Sequence, residues 1–233
     1  MVEPSSEHIV SSYEDELKEL ARLISEMGGL VEQAVTNSVN GLVRMDDELA
    51  RGVVKSDQEV DDMQRRIDDL AVSMIARRQP MASDLRQIIS TIHVATDLER
   101  IGDMAKNIGR RTIEIGDRQM SAQLYSGLKH MSELALRQID RALDVFNARD
   151  EIGAVEVCRR DDELDSLYMS LFREFLTYMM EDPRNISDCT HLLFCAKNLE
   201  RAGDHATNIA EAAYYLKTGK SLVLESDSMG TVG

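Results

Sequence analysis

Apolar residues return along this chain in steps of three, four and seven. One stripe runs Val53, Val60, Met63, Ile67, Leu70, Met74, and another runs Val94, Leu98, Ile101, Ala105, Ile108. Such steps keep apolar side chains on one face of a helix with 3.6 residues per turn. No segment alternates with period two between turn signals, so the pattern predicts an all-α protein. Breaks are few. Pro80 interrupts the first half and Pro183 the second, and Asp182-Pro183 reads as an N-cap followed by a first helical residue. Gly28-Gly29 falls inside a long helical pattern and is expected to kink it. From about Lys220 the chain turns to Ser, Gly and acids, the pattern of a frayed tail.

A repeat changes this picture from a row of helices to a duplicated unit. Asp97-Leu98-Glu99-Arg100-Ile101-Gly102-Asp103 returns as Asn198-Leu199-Glu200-Arg201-Ala202-Gly203-Asp204, and Asn107-Ile108 as Asn208-Ile209, at an offset of 101 residues. Upstream, Asp57-Gln58-Glu59-Val60-Asp61 returns as Asp161-Asp162-Glu163-Leu164-Asp165 at an offset of 104. Each unit is then a long helix, a second helix, a Pro-marked turn and a third helix. We place the first three-helix bundle at residues 1–116, the second at 117–219 and a flexible tail at 220–233. Together the bundles make a pseudo-twofold six-helix protein.

The repeat carries carboxylates in pairs four residues apart, which places each pair on one helix face. Asp57/Asp61 and Glu99/Asp103 form the first set, and Asp161/Asp165 and Glu200/Asp204 the second. Asp61 lies 19 residues before Pro80 and Glu99 19 after it; Asp57 and Asp103 lie 23 before and after. In the second unit Asp165 and Glu200 stand 18 and 17 residues from Pro183, and Asp161 and Asp204 stand 22 and 21. Folding back at each proline as an antiparallel hairpin sets these acids at matching heights, so four carboxylates per hairpin are expected to converge. On a helical wheel Asp57 and Glu99 sit roughly 90–110° from their apolar stripes, on the shoulder of the helix interface.

Clustered, half-buried carboxylates have raised pKa values and repel one another. A cation removes the repulsion, and an oxygen-only ligand set suits Mg, Mn, Ca, Fe or Zn in divalent or trivalent form. Asn107 and Asn208 extend the same face and are candidates for an added amide oxygen or a supporting hydrogen bond. The competing expectation is a solvated acidic shoulder neutralised by Arg100, Lys106 or Arg201. Gly102 and Gly203 each fall mid-helix between a motif Glu and Asp, where Gly costs about 1 kcal/mol against Ala. That cost, met twice, points to close approach of a neighbour or access to the cluster.

Charge and composition narrow the function. The formal net charge is -15, which phosphate backbones and anionic membranes would repel, so nucleic-acid binding is not expected. Cys158, Cys189 and Cys195 have no metal or redox spacing and are expected as buried, idle thiols in a reducing compartment. No apolar run suits a membrane span, and the N-terminus lacks the apolar stretch of a signal peptide, so a cytoplasmic protein without membrane insertion is expected. A ferritin-like di-iron site needs Glu-x-x-His on two helices. The chain has none, and His8, His93, His130, His191 and His205 occupy no equivalent positions. No nucleotide loop or nucleophile motif is present.

Three short motifs together carry a resemblance. Leu98-Glu99-Arg100-Ile101-Gly102-Asp103 with Asn107, its second copy from Leu199 to Asn208, and Arg78-Gln79-Pro80-Met81-Ala82-Ser83-Asp84-Leu85-Arg86 resemble the PhoU family of bacteria over nearly the whole chain, from about Val10 to Lys217. The resemblance implies paired three-helix bundles whose acidic motifs hold metal ions, including multinuclear iron clusters in some members. Carried over by position, the metal ligands would be Asp57, Asp61, Glu99, Asp103, Asp161, Asp165, Glu200 and Asp204. It implies a cytoplasmic negative regulator of the phosphate-starvation response, not an enzyme, often a homodimer. Its expected partners are the ATPase subunit of the phosphate ABC transporter and the sensor histidine kinase. Asn198, in place of the acid at Asp97, departs from the repeat, but precedes the motif and points away from it. Two rival expectations are a carboxylate-bridged metalloenzyme, against which the missing histidines argue, and a purely structural helical protein.

Overall fold

The computed structural model describes residues 6–116 and 122–224, with side chains from Tyr13 onward. Among the described residues the chain forms helices and no strand. The first unit holds α1 (Ser6–Arg44), α2 (Asp47–Arg78) and α3 (Ser83–Ile115). The second holds α4 (Ala122–Ala148), α5 (Glu151–Arg159), α6 (Asp161–Glu181) and α7 (Ile186–Thr218), with a 3₁₀ turn, Pro183–Asn185, leading into α7. The expected unit boundary near Gly116 coincides with the end of α3. Residues 117–121, and the tail beyond Leu224, lie outside the described residues.

Helices α2 and α5 start where local chemistry favours it. Asp46 caps α2 by accepting from the Leu49 amide at 2.9 Å, and Asp150 caps α5 by accepting from the Ile152 and Gly153 amides at 3.1 and 3.0 Å. Both aspartates follow a residue in the left-handed region, Met45 (φ 56) and Arg149 (φ 53). The Asp46 amide reaches back to the Gly41 carbonyl and the Asp150 amide to that of Val145, both at 2.9 Å. These bonds satisfy the carbonyls left open at a helix end. The two turns are the same turn, 104 residues apart. Asp182 accepts from the Arg184 amide at 3.0 Å, with Pro183 as the first residue of the 3₁₀ turn.

Two expectations need correction. Helix α1 runs unbroken through Gly28-Gly29. Gly28 is there for packing: a Cβ on it would stand 2.6 Å from Leu143 Cδ1 of α4, whereas Gly29 meets nothing within 4 Å. The second helix of the second unit is interrupted at Arg160, giving α5 and α6 where the first unit has the single α2. The Arg160 amide is shared between the Glu156 and Val157 carbonyls, and Glu163 bonds back to the Arg160 carbonyl at 3.1 Å, the tighter i→i+3 pattern. Asp161, Asp162 and Glu163 then open a new helix, where three acids are favoured by the N-terminal dipole.

The units pack through their first and third helices. Helices α3 and α7 run antiparallel, with Glu114 against His191, Arg111 against Phe194 and Asp97 against His205, and α1 packs along α4 from Gly28 at Leu143 to Met45 at Tyr125. The core is continuous from Leu20, Leu23 and Ile24 of α1 through Leu98 and Ile108 of α3 to Leu192 and Ile209 of α7. This central seam places both acidic hairpins, α2/α3 and α6/α7, on its flanks. Gly102 and Gly203 set the hairpin spacing. A Cβ on Gly102 would lie 3.2 Å from Val60 Cγ1, and one on Gly203 would overlap Leu164 Cδ2. Val60 and Leu164 are the same repeat position, so each glycine receives the apolar side chain that lies between the two acids of the facing helix.

Candidate metal centre

The first hairpin gathers its acids around a lysine. Lys106 Nζ lies 2.5 Å from Asp57 Oδ2 on α2 and 2.6 Å from Asp103 Oδ1 on α3. Arg100 adds longer contacts, 3.5 Å to Glu99 Oε2 and 3.6 Å to Asp103 Oδ2. Burial pushes the Glu99 carboxyl up, and the charges of Asp103, Asp61 and Asp57 push it further while Arg100 opposes them. All four predicted acids therefore share one field. Burial alone would lower the Lys106 pKa, but its bonds to Asp103 and Asp57 more than reverse that, so its ammonium is firmly charged.

The second hairpin is arranged differently. One carboxylate oxygen from each of Asp165, Glu200 and Asp204 lies within 4.8 Å of the others. Lys197 donates to Glu200 Oε1, and Glu200 Oε2 is buried with no hydrogen-bond partner. Asp161 Oδ1 accepts from Gln138 Nε2 at 2.9 Å, and the same amide reaches Thr207 Oγ1 at 3.1 Å. Burial raises the Asp165 carboxyl, with Asp161 and Glu200 adding to it. Burial likewise raises Asp204, with Glu200 and Asp161 adding to it.

The difference follows from two substitutions within the repeat. Lys106 in the first copy is Thr207 in the second, and Lys197 in the second is Thr96 in the first. The first set has an ammonium between its two helices. In the second, a lysine touches one acid from the side and leaves a three-oxygen face with a buried, unpartnered oxygen. That face fits a hard cation: the donors are all carboxylate, they converge, and one lacks a partner. Of the bases expected as neutralisers, Arg100 and Lys106 take that role in the first set. Lys197, not Arg201, does so in the second.

The remaining candidates divide. Asn208 donates to Asp97 Oδ1 at 3.2 Å, and His205 Nδ1 lies 2.9 Å from the same oxygen. Asn208 thus ties α7 to α3 across the seam instead of extending the acidic face. Asp97 points away from its cluster, and its counterpart Asn198 is buried and donates to the Phe194 carbonyl at 2.8 Å. Asn107 faces a cleft between α3 and α7. The group of converging ligands contains no histidine. All three cysteines are buried and free, and burial pushes the Cys158 and Cys195 thiols up to about 12, which makes them poor nucleophiles. No helix among the described residues is long and apolar enough to cross a membrane.

The PhoU domain model matches residues 24–112 and again 128–213, one match per unit. The phosphate-specific transport system accessory protein PhoU homolog of Rhizobium meliloti (strain 1021) is 54% identical over 92% of this chain and 91% of its own length. The homolog of the same name from Caulobacter vibrioides (strain NA1000 / CB15N) is 44% identical over 93% of this chain and 94% of its own. The crystal structure of PhoU from Pseudomonas aeruginosa matches with a TM-score of 0.85 at 41% identity, covering 89% of this chain and all of that one. The phosphate transport system regulatory protein PhoU from Streptococcus pneumoniae matches at 0.84 and 28%, covering 91% of this chain and all of that one. These relatives are named as accessory and regulatory proteins and not as enzymes. With a duplicated family match over most of its length and relatives alike over more than nine-tenths of it, this chain belongs to the PhoU family.

Proposed function

We propose that this protein is an accessory protein of the phosphate-specific transport system that represses the phosphate-starvation response. In this reading it is a cytoplasmic, homodimeric helical adaptor between the ATPase subunit of the phosphate ABC transporter and the sensor histidine kinase, and it carries metal. The observation that supports the regulatory role most is the near full-length likeness to a relative named for that transport system. A bundle of amphipathic helices offers faces for partners. Deleting the gene should derepress phosphate-uptake genes in phosphate-replete medium; unchanged expression would sink the proposal.

The metal reading is supported by the convergence of Asp165, Glu200 and Asp204 and by the unpartnered Glu200 Oε2. These three, with Asp161 beside them, would hold one site, and Asp57, Asp61, Glu99 and Asp103 the other. A bound Mg, Mn, Fe or Zn ion would neutralise the acids and link the two helices of a hairpin. Metal content should be measured on protein purified without chelator or affinity metal. The Asp165→Asn/Glu200→Gln/Asp204→Asn variant should carry less metal than the parent, and equal content in both would overturn the assignment.

A further inference from the structure

A second feature of the α3/α7 seam is not accounted for by packing or by the acidic clusters. A cleft of about 480 Å³ opens between the two helices and carries Arg110 and Arg111 from α3 and Lys197 and Arg201 from α7. Four bases on one cleft stand out in a protein with 42 acids against 27 bases. Lys197 is engaged with Glu200. No described carboxylate lies within ion-pair distance of Arg110, Arg111 or Arg201. The cleft's own acid, Glu114, sits 3.5 Å from His191 Nδ1. Arg111 is stacked on Phe194, its guanidinium carbon 4.1 Å from the ring centroid, and its Nε is buried with no hydrogen-bond partner. A guanidinium held over a ring keeps its N–H donors available to another partner.

The repeat supplies an internal control. Because α3 and α7 are equivalent and antiparallel, the seam has two ends built from the same positions. Moving by 101 residues, Arg110 becomes Glu211, Arg111 becomes Ala212, Lys197 becomes Thr96 and Phe194 becomes His93. Arg201 becomes Arg100, which is held by Glu99 and Asp103. Helix packing acts on both ends alike, so it does not explain why unpaired positive charge collects at one.

We infer that the cleft at the Arg111 end of the α3/α7 seam is a binding site for a phosphoryl oxyanion, either free phosphate or the phosphate of a small molecule no larger than a nucleotide. Planar guanidinium forks match tetrahedral phosphoryl oxygens in pairs, and several arginines without a partner among the described carboxylates favour a multiply charged anion over a single carboxylate. The inference goes beyond the adaptor reading and is tested without it.

The experiment is isothermal titration calorimetry on the full chain after chelation and desalting, with inorganic phosphate, AMP, sulfate and an acidic peptide as separate titrants. Phosphate or AMP should bind, more weakly as salt is raised. Arg111→Gln/Arg201→Gln should weaken binding by about tenfold or more while thermal unfolding stays cooperative. Preference for phosphate identifies the free ion, and preference for AMP a phosphorylated small molecule. The Asp165→Asn/Glu200→Gln/Asp204→Asn variant should still bind. Several results overturn the proposal: binding of the peptide alone, no binding of phosphate or AMP, equal binding by the arginine variant, or binding lost only in the carboxylate variant.

Discussion

Single residues decide how each acidic hairpin is neutralised. Lys106 joins Asp57 to Asp103 in the first copy, and its place in the second is taken by Thr207. In metal-free protein, Lys106→Thr should cost about 1–3 kcal/mol, because it leaves the mostly buried Asp57 without its charged donor and Asp103 with only the longer Arg100 contact. The same change should open the first set to cations. A thermal-shift titration with Mn²⁺ is expected to raise Tm more in the variant than in the parent, and an equal rise would show that the lysine does not compete with metal. The sequence marked all eight acids and named Lys106 among their possible partners. It could not rank the bases, because choosing between Arg100, Lys106, Lys197 and Arg201 depends on rotamers and on which side of the neighbouring helix each reaches.

At the scale of elements, glycines separate packing from propensity. Gly28 accepts Leu143 of α4 against the backbone of α1, while Gly29, one residue on, is open. Gly28→Val should destabilise by about 1–3 kcal/mol through overpacking. Gly29→Ala should stabilise by up to about 1 kcal/mol through helix propensity. Denaturant unfolding of the two variants measures both, and a shared sign would refute the packing role. A Gly-Gly pair in a helical pattern reads as a kink because the partner that fills the space is more than a hundred residues away. The break at Arg160 was hidden for a related reason. Arg-Asp-Asp-Glu carries no Pro or Gly, and its turn depends on local i→i+3 bonds. The α1/α2 and α4/α5 turns were equally quiet, since Met45 and Arg149 are not the residues that usually announce a left-handed turn.

The units meet along α1/α4 and α3/α7, and acids of α1 and α4 face one another there. Glu32 of α1 is half-buried, and its carboxyl is raised first by burial and then by Asp140 and Asp144 of α4. A raised carboxylate pKa means that the folded state holds its proton more tightly than the unfolded chain does. The penalty of ionised Glu32 is therefore full above its raised pKa and fades as pH falls through it toward the ordinary carboxylate value. Glu32→Gln should raise Tm at neutral pH, with the gain shrinking on mild acidification. A pH-independent difference would assign the effect to packing. This placement was not legible in the sequence, because nothing in the pattern of either helix says that α1 packs on α4 there.

The amino-acid pattern alone was enough for an all-helical, duplicated chain folded into hairpins, though not for the unbroken α1 or the split at Arg160. Periodicity and proline are local signals, and a repeat is visible without a fold. Near-equal arms around Pro80 and Pro183, a matter of counting, also set the expectation that the four acids of each hairpin stand at matching heights. Tertiary structure decided what those acids are worth. Three converge with an unpartnered oxygen in the second hairpin, while an ammonium stands among those of the first. It also placed Asn208 on Asp97 and gathered Arg110, Arg111 and Arg201 on one cleft. Those pairings join residues far apart in the chain, across a seam whose geometry is set by burial of apolar faces and not by the polar residues it brings together.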